Sequence, residues 1–271
     1  MDVNIGFIGA GNMGAAMIKS IIKAGIIPAD KIHINDVDKE KLSALKNETG
    51  IQVLNTNEEV VSKSDIVFLA VKPNMVKPVL EACKAGFDDN KILVSIAVGI
   101  PLKFYKDILG CDKKIVRAMP NTPALVGEGM TLISYDNNIS ENDIKTVKAI
   151  MECFGKVETL DEKLMSEVTA LTGSSPAYVF MFIEAMADAA VLSGIPRNIA
   201  YKLASQAVLG SAKMVLETGK HPGELKDQVC SPAGTTIEAV SSLEKNGFRY
   251  AVIEAMDACT KRAREIGKIY G

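Results

Sequence analysis

Residues 3–14, which decide the fold, read VNIGFIGAGNMG. A short run of strand-forming apolar residues leads directly into Gly9-Ala10-Gly11-Asn12-Met13-Gly14. In this spacing the first glycine allows a tight turn, the second lets a pyrophosphate approach the backbone, and the third lets the next helix pack on the strand. The first amides of that helix would then face the phosphates. The stretch therefore predicts the phosphate-binding turn of a Rossmann-type domain.

The chain on either side of this turn alternates short strand-like runs with helical segments. We predict strands at residues 3–8, 31–35, 65–71, 91–97 and 114–118, and helices at residues 13–24, 39–46 and 75–85. Such alternation is typical of a parallel sheet covered by helices. The sequence thus predicts an α/β fold, with an N-terminal Rossmann-type parallel-sheet domain over residues 1–160.

After residue 160 the strand signals stop. Helical patterns cover residues 162–171, 176–193, 196–217, 235–245 and 248–266. Residues 176–193 are apolar around most of the helix circumference, apart from Glu184 and Asp188, so this helix needs burial on nearly all sides. We therefore predict an all-α dimerisation domain over residues 161–271.

Composition narrows the classes of partner. The 271 residues carry 31 Lys and Arg against 33 Asp and Glu, a net charge of −2, which gives no basic field for nucleic acid or anionic lipid. The 5 cysteines are far apart and only 2 histidines are present, so we predict reduced thiols and no metal site. The start of the chain lacks a basic leader, and residues 176–193 include two acids. We expect a cytoplasmic protein without a membrane partner.

Polar residues follow the second predicted strand at Asn35 and Asp36. Asp36 lies 22 residues after Gly14, where an acid usually accepts hydrogen bonds from the adenosine ribose. The alternative is a helix cap before Lys39. No arginine stands close by to meet a 2′-phosphate, so of the two nicotinamide cofactors, NADPH or NADH, the sequence favours NADH.

Three later strands end in loops that we assign to the same cofactor cleft, because open α/β sheets bind ligands at the carboxyl ends of their strands. These loops are Ala70-Val71-Lys72-Pro73, residues 95–99 with Ala97, and residues 119–123 with Asn121. Pro and Gly also terminate strands without any ligand, which is the structural alternative.

In the helical half, residues 231–238 read SPAGTTIE. A Pro/Gly turn here presents small hydroxyl residues and free amides at the start of a helix, an arrangement that binds a carboxylate. The alternative is a capping box, with Thr235 as the N-cap and Glu238 three residues later.

Taken in order, these motifs closely resemble the pyrroline-5-carboxylate reductase family over essentially the whole chain. The most specific of them is the Ser-Pro-x-Gly-x-Thr block. The segments that carry the resemblance are the Gly-rich turn, Ala70-Val71-Lys72-Pro73, Met119-Pro120-Asn121-Thr122-Pro123, Gly173-Ser174-Ser175-Pro176-Ala177-Tyr178, and residues 221–236. Ala233 and Ser175 stand where many members have glycine.

The resemblance implies reduction of 1-pyrroline-5-carboxylate to L-proline by NADPH or NADH, the last step of proline biosynthesis. It also implies a helical domain that interlocks two subunits, often within a ring of dimers. Thr236 would bond the ring nitrogen as the catalytic residue. The implied substrate-binding residues are Ser231, Gly234, Thr235 and Thr236, and the implied cofactor-binding residues are Gly9, Ala10, Gly11, Asn12, Met13, Gly14, Asn57, Ala70, Val71, Lys72 and Pro73.

Two other functions compete with this interpretation. β-Hydroxyacid dehydrogenases carry a catalytic lysine in the first long helix of the second domain, but residues 174–188 contain no lysine. A nucleotide-sensing protein without catalysis is the second competitor, and the hydroxyls of Ser231, Thr235 and Thr236 argue against it.

Overall fold

The structure is a computed structural model that describes residues 1–270. It divides into two compact units. The first comprises Met1–Gly173 together with the chain from Thr260 onward, and the second comprises Ser174–Cys259.

The first unit is built on an eight-stranded sheet with the order β3-β2-β1-β4-β5-β6-β7-β8. Neighbouring strands run parallel except at the β6–β7 pair. The order reverses between β1 and β4, the place where such sheets open a ligand crevice. The strands are β1 (Ile5–Ile8), β2 (Ile32–Asn35), β3 (Gln52–Val53), β4 (Ile66–Leu69), β5 (Ile92–Ser95), β6 (Lys114–Met119), β7 (Gly129–Tyr135) and β8 (Gly155–Thr159).

Apolar cores cover both faces of this sheet. Along β4, Phe68 belongs to one buried cluster and Val67 and Leu69 to the other, as strand alternation requires. Phe68 stacks on Phe7 of β1 with ring centroids 4.8 Å apart. The covering helices are α1 (Asn12–Ala24), α2 (Lys39–Thr49), α3 (Asn57–Ser62), α4 (Val76–Cys83), α5 (Leu102–Leu109) and α6 (Glu141–Met151).

The α/β class and the parallel sheet predicted from the sequence are confirmed. Six elements were not predicted from the sequence: β3, β7, β8, α3, α5 and α6. Several of these have weak patterns: β3 has only 2 residues, and β8 is a polar edge strand that is largely exposed.

The predicted helix at residues 162–171 is wrong. A 3₁₀ turn at Glu162–Leu164 and a π-helical turn at Thr169–Gly173 replace it. The buried residues Met165 and Ala170 stand five positions apart, a spacing that suits the wider π turn. Met165 packs with Met119 and Leu132, so this segment joins the first unit, and the units divide after Gly173, later than the predicted boundary at 160.

The second unit is helical. Its elements are α7 (Ser175–Leu192), α8 (Arg197–Thr218), α9 (Pro222–Val229), α10 (Thr235–Lys245) and α11 (Phe248–Gly267), of which α11 continues into the first unit. The predicted helices start and end within two residues of these bounds. The short, polar α9 was not predicted.

Helix α7 exposes the apolar surface that the sequence pattern indicates. Only Ala187 of this helix is buried, while Phe180 and Met181 are 62% and 69% exposed. By length and composition alone, Thr169–Leu192 is long and apolar enough to span a membrane. The expectation that Glu184 and Asp188 exclude a span is therefore wrong on this criterion. With only Ala187 buried, much of the α7 surface is left uncovered within the second unit.

We expect this face of α7 to be covered by a second copy of the chain. Met181→Asp would then bury an unpaired charge, at a cost of about 3 kcal/mol or more, which raises the dissociation constant at least ~100-fold. Sedimentation velocity over a concentration series measures the change. The control is Asn142→Asp, which adds an exposed charge to α6. A folded wild-type monomer at micromolar concentration would contradict the prediction.

Candidate functional site

The Gly-rich turn between β1 and α1 is held by close backbone contacts. Gly9 has φ +108°, and its N–H donates to Asn35 O at 2.9 Å. A Cβ at Gly9 would lie 2.5 Å from Ala70 O, and a Cβ at Gly14 would lie 2.6 Å from Gly9 O. Glycine is therefore required at both positions by the protein's own packing.

Gly11 differs from its neighbours, because a Cβ there would meet nothing within 4 Å. Gly11 is also the N-cap of α1, and no side chain caps the helix. The first turn of α1 holds no acid, so its free amides and the positive end of the helix dipole favour an anion. The open space beside Gly11 is thus left for a ligand and fits a pyrophosphate.

A cleft of about 570 Å³ adjoins this turn in the first unit. Eight of the residues assigned to the cofactor line it: Gly9, Gly11, Asn35, Asp36, Asn57, Ala70, Val71 and Lys72. The cleft is also lined by seven residues that were not predicted from the sequence: Ile8, Val37, Asp38, Lys41, Asn74, Met75 and Val79. Val37 is 96% exposed. The sequence signal that could have identified it is an apolar residue between Asp36 and Asp38 at a strand end.

The other assigned cofactor residues do not line this cleft. Ala10, Asn12, Met13, Gly14 and Pro73 belong to the turns that border it. Ala97 follows β5 and is 5% exposed. Both ends of the Asn121 side chain are used by the protein: Nδ2 donates to Thr172 O at 3.0 Å, and Oδ1 accepts from Met130 N at 2.8 Å.

Asp36 lies at the carboxyl end of β2 and faces the Gly-rich turn. Its Oδ2 accepts from Ala10 N at 2.5 Å and its Oδ1 from Asp38 N at 2.8 Å. The alternative of a helix cap at Asp36 is wrong, because Asp38 caps α2 by accepting from Lys41 N at 3.1 Å. These bonds hold the Asp36 carboxylate in the cleft.

Two lysines stand beside these acids. Lys39 Nζ lies 3.2 Å from both Asn35 Oδ1 and Asp36 O. Lys41 Nζ pairs with Asp38 Oδ2 at 3.0 Å, and the Lys41 amide and ammonium together lower the pKa of the Asp38 carboxyl. On the other side of Asp36, Asn35 Nδ2 donates to Asn57 Oδ1 at 2.8 Å. The polar side chains along this wall of the cleft are therefore hydrogen-bonded or ion-paired to one another.

In the second unit, residues 231–236 form the turn before α10. Gly234 is the N-cap of α10 and no side chain caps this helix, so the capping box with Thr235 as N-cap is wrong. Gly234 N–H donates to Ser231 O at 3.1 Å, and a Cβ at Gly234 would lie 2.2 Å from Ser231 Oγ. A side chain at 234 would therefore require the Ser231 hydroxyl to move.

Ala233 has φ +54° and is the one non-glycine residue of the described chain with a positive φ. Glycine adopts this left-handed conformation without strain, so alanine here costs backbone free energy. Ser175, the other departure, begins α7 with ordinary backbone angles. The turn thus leads into an uncapped helix start, and the sequence around it carries the hydroxyl residues Ser231, Thr235 and Thr236.

Comparisons with known proteins agree with this architecture. The family model for pyrroline-5-carboxylate reductase dimerisation matches residues 162–266, and a model for NADP oxidoreductase, coenzyme F420-dependent, matches residues 4–99. The pyrroline-5-carboxylate reductase of Escherichia coli strain K12 is 50% identical over 99% of this chain and 100% of its own length. The chain belongs to the pyrroline-5-carboxylate reductase family.

Solved structures of other pyrroline-5-carboxylate reductases are similar throughout. The Coxiella burnetii structure gives a TM-score of 0.92 at 34% identity and covers 98% of this chain and 99% of that one. The Plasmodium falciparum structure, which has NADP bound, gives 0.88 at 34% identity with 98% coverage of both chains. Because the dimerisation model covers α7–α11, the exposed apolar surface of α7 belongs to a self-associating domain.

The contrast between Gly9 and Gly11 gives a matched pair of substitutions. Gly9→Ala would destabilise the fold by about 1–3 kcal/mol from backbone strain alone, in addition to its clash with Ala70 O. Gly11→Ala would change stability by less than ~1 kcal/mol, yet it would weaken dinucleotide binding because the added methyl enters the open space. Urea unfolding and dinucleotide titration measure the two effects. Equal stability losses in both variants would contradict this assignment of the two glycines.

Proposed function

We propose that the protein reduces 1-pyrroline-5-carboxylate to L-proline with a reduced nicotinamide cofactor, as a cytoplasmic self-associating enzyme of proline biosynthesis. The observation that carries the proposal is the turn at residues 231–236, with its uncapped helix start and three hydroxyls, in a chain that is similar to pyrroline-5-carboxylate reductases over its full length. We further propose that subunits pair through the helical domain and that the pairs associate into a ring.

The residues of the first unit that would hold the cofactor follow from the cleft. The amides after Gly11 would take the pyrophosphate, and Asp36 would accept from the adenosine ribose hydroxyls. The bound cofactor supplies a hydride. The protein's own contribution in this unit is to fix the orientation of the dinucleotide.

The residues of the second unit suit an anionic, electrophilic ring. The free amides at the start of α10 would hold the substrate carboxylate, and the Thr236 hydroxyl would orient the ring nitrogen. A protonated cyclic imine is already a strong electrophile, so its reduction depends on positioning more than on a strong acid. We assign Thr236 an orienting role and take the imine proton from solvent.

Direct assay separates this function from its competitors. We expect the wild-type protein to oxidise NADH when 1-pyrroline-5-carboxylate is added. A β-hydroxyacid dehydrogenase would instead respond to its hydroxy acid and oxidised cofactor. A nucleotide sensor would bind NADH without turnover.

Cofactor choice depends on Asp36. We propose a preference for NADH, because a 2′-phosphate would meet the Asp36 carboxylate, which Ala10 and Asp38 amides hold in the cleft. Asp36→Ser would remove that repulsion and shift kcat/KM toward NADPH. Steady-state kinetics with both cofactors measure the ratio. If wild type prefers NADPH and Asp36→Ser leaves the ratio unchanged, the ribose assignment is wrong.

Thr236→Val tests the orientation of the ring nitrogen. The variant keeps the side-chain shape and removes one hydrogen bond, and an unsatisfied polar group costs about 1–3 kcal/mol. Since 1.4 kcal/mol is roughly tenfold in rate, we expect kcat/KM for the imine to fall about 5- to 150-fold. The measurement is steady-state turnover at saturating cofactor.

A second measurement and a control variant accompany the Thr236→Val assay. Dinucleotide affinity should stay within about twofold of wild type, because the Gly-rich turn lies in the other unit. Thr146→Val, which removes a hydroxyl from α6, serves as the matched control. Unchanged kcat/KM in Thr236→Val would remove this residue from the site.

A further inference from the structure

The loop of residues 96–101, here called the β5 loop, connects β5 to α5 and carries Ala97. In a doubly wound sheet each half binds one mononucleotide, and β1–β3 with the Gly-rich turn and Asp36 form the adenosine half. The half that begins at β4 is therefore left for the nicotinamide mononucleotide. The β5 loop lies at the carboxyl edge of this second half.

A buried hydroxyl pair holds the start of the β5 loop. Ser95 and Tyr105 are fully buried, with 2.6 Å between Ser95 Oγ and Tyr105 Oη, and Ser95 Oγ also accepts from Ala97 N at 3.3 Å. Burial raises the pKa of Tyr105 to about 12, which favours the neutral hydroxyl in this pair. The Ser95 oxygen is thereby kept beside the Ala97 amide.

A carboxylate from a distant part of the chain holds the end of the loop. Glu162 Oε1 accepts from Leu102 N at 2.6 Å and from Arg117 Nη1 at 3.2 Å. Pro101, the N-cap of α5, provides no side-chain acceptor, so Glu162 supplies the negative charge that a helix start favours. Arg117 is 8% exposed, and its pairing with Glu162 fixes the carboxylate.

The middle of the loop is fixed by packing. Gly99 has φ +80°, and a Cβ there would lie 3.0 Å from Ile266 Cγ2 of α11. The β5 loop is thus held at both ends by polar contacts and in the middle by a close approach. Neither Tyr105 nor Glu162 lines the cleft. The Glu162 side chain is partly exposed, and its contacts with Leu102 N and Arg117 act at the junction of the loop with α5.

We propose that Tyr105 and Glu162 are positioning residues of the reductase reaction, which act by holding the β5 loop in the conformation needed for hydride transfer. The inference rests on the proposed function. Neither residue touches the substrate or the cofactor, and both act through the backbone between Ala97 and Leu102.

Two conservative variants test the proposal. Tyr105→Phe keeps the ring and removes the hydroxyl, and Glu162→Gln keeps an acceptor for Leu102 N–H while it loses the charge that pairs with Arg117. Tyr135→Phe is the matched control, because it removes a hydroxyl in the same unit at the end of β7, where Tyr135 pairs with Val116. All three variants are made in the full-length chain.

The first readout is hydrogen exchange of the β5 loop in the protein without cofactor. A hydrogen bond of ordinary net strength corresponds to about a 2- to 10-fold change, so Tyr105→Phe should exchange about 2- to 10-fold faster over residues 96–101. In Glu162→Gln the same amides should exchange about 10-fold faster, because hydrogen bonds to a charged group are stronger than neutral ones. The Tyr135→Phe control should match wild type in this segment.

The second readout is single-turnover NADH oxidation with enzyme in excess and saturating 1-pyrroline-5-carboxylate. The rate constant should fall about 2- to 10-fold in Tyr105→Phe and about 10-fold in Glu162→Gln, and it should respond to deuterium at the transferred position. KM for NADH should stay within about twofold. A merely structural role would lower the amplitude, because fewer molecules are folded, and would leave the rate constant unchanged.

The outcomes separate the inference from the proposed function. Unchanged exchange in both variants, or faster exchange with an unchanged rate constant, would overturn the positioning role. A wild-type protein that does not oxidise NADH with 1-pyrroline-5-carboxylate would contradict the proposed function. In that case the exchange data would still decide whether Tyr105 and Glu162 hold the loop.

Discussion

The close approach of the β1–α1 turn to the end of β4 is the constraint on which the rest of the first unit depends. Gly9 passes so near Ala70 O that no side chain fits, and Gly14 packs equally close to Gly9 O. These contacts bring the carboxyl ends of β1 and β4 together at the point where the strand order reverses. The cleft, the uncapped start of α1 and the position of Asp36 opposite Ala10 all follow from this geometry.

The two candidate binding turns use the same physical device in different units. Helices α2, α3 and α6 are each capped at the N-terminus by a side-chain acceptor, from Asp38, Thr56 and Ser140 respectively. Helices α1 and α10 begin instead at glycine N-caps without a side-chain acceptor. Their first amides stay available, which favours the pyrophosphate in one unit and a carboxylate in the other.

The second turn achieves this at a cost in backbone strain. A left-handed conformation costs a non-glycine residue roughly 1–2 kcal/mol, and Ala233 adopts it directly before Gly234. The hydrogen bond from Gly234 N–H to Ser231 O closes the turn around this residue. Strain that persists next to a candidate ligand site is typical of functional turns.

Patterns that act within a few residues made much of this molecule predictable. The spacing of Gly9, Gly11 and Gly14 gave the turn, the apolar run in β4 gave a central strand, and the apolar circumference of α7 gave an exposed association surface. The same local logic failed at residues 162–173, because the packing of Met165 on Met119 and Leu132 decides that conformation. It also placed the α10 cap at Thr235, whereas the N-cap lies one residue earlier, at the end of a turn that Gly234 N–H and Ser231 O close.

The β5 loop shows most clearly why the remainder could not be predicted. Its sequence carries Gly99 and Pro101, which indicate a flexible turn, yet contacts from far along the chain fix it. Glu162 lies 60 residues from Leu102, and Ile266 reaches Gly99 from the last turns of α11. Tyr270 packs edge-on against Phe104 of α5, with ring centroids 6.0 Å apart, and so adds a contact to the helix that follows the loop. Only folding brings these groups together, so the conformation of the β5 loop is set by the tertiary structure and not by its own sequence.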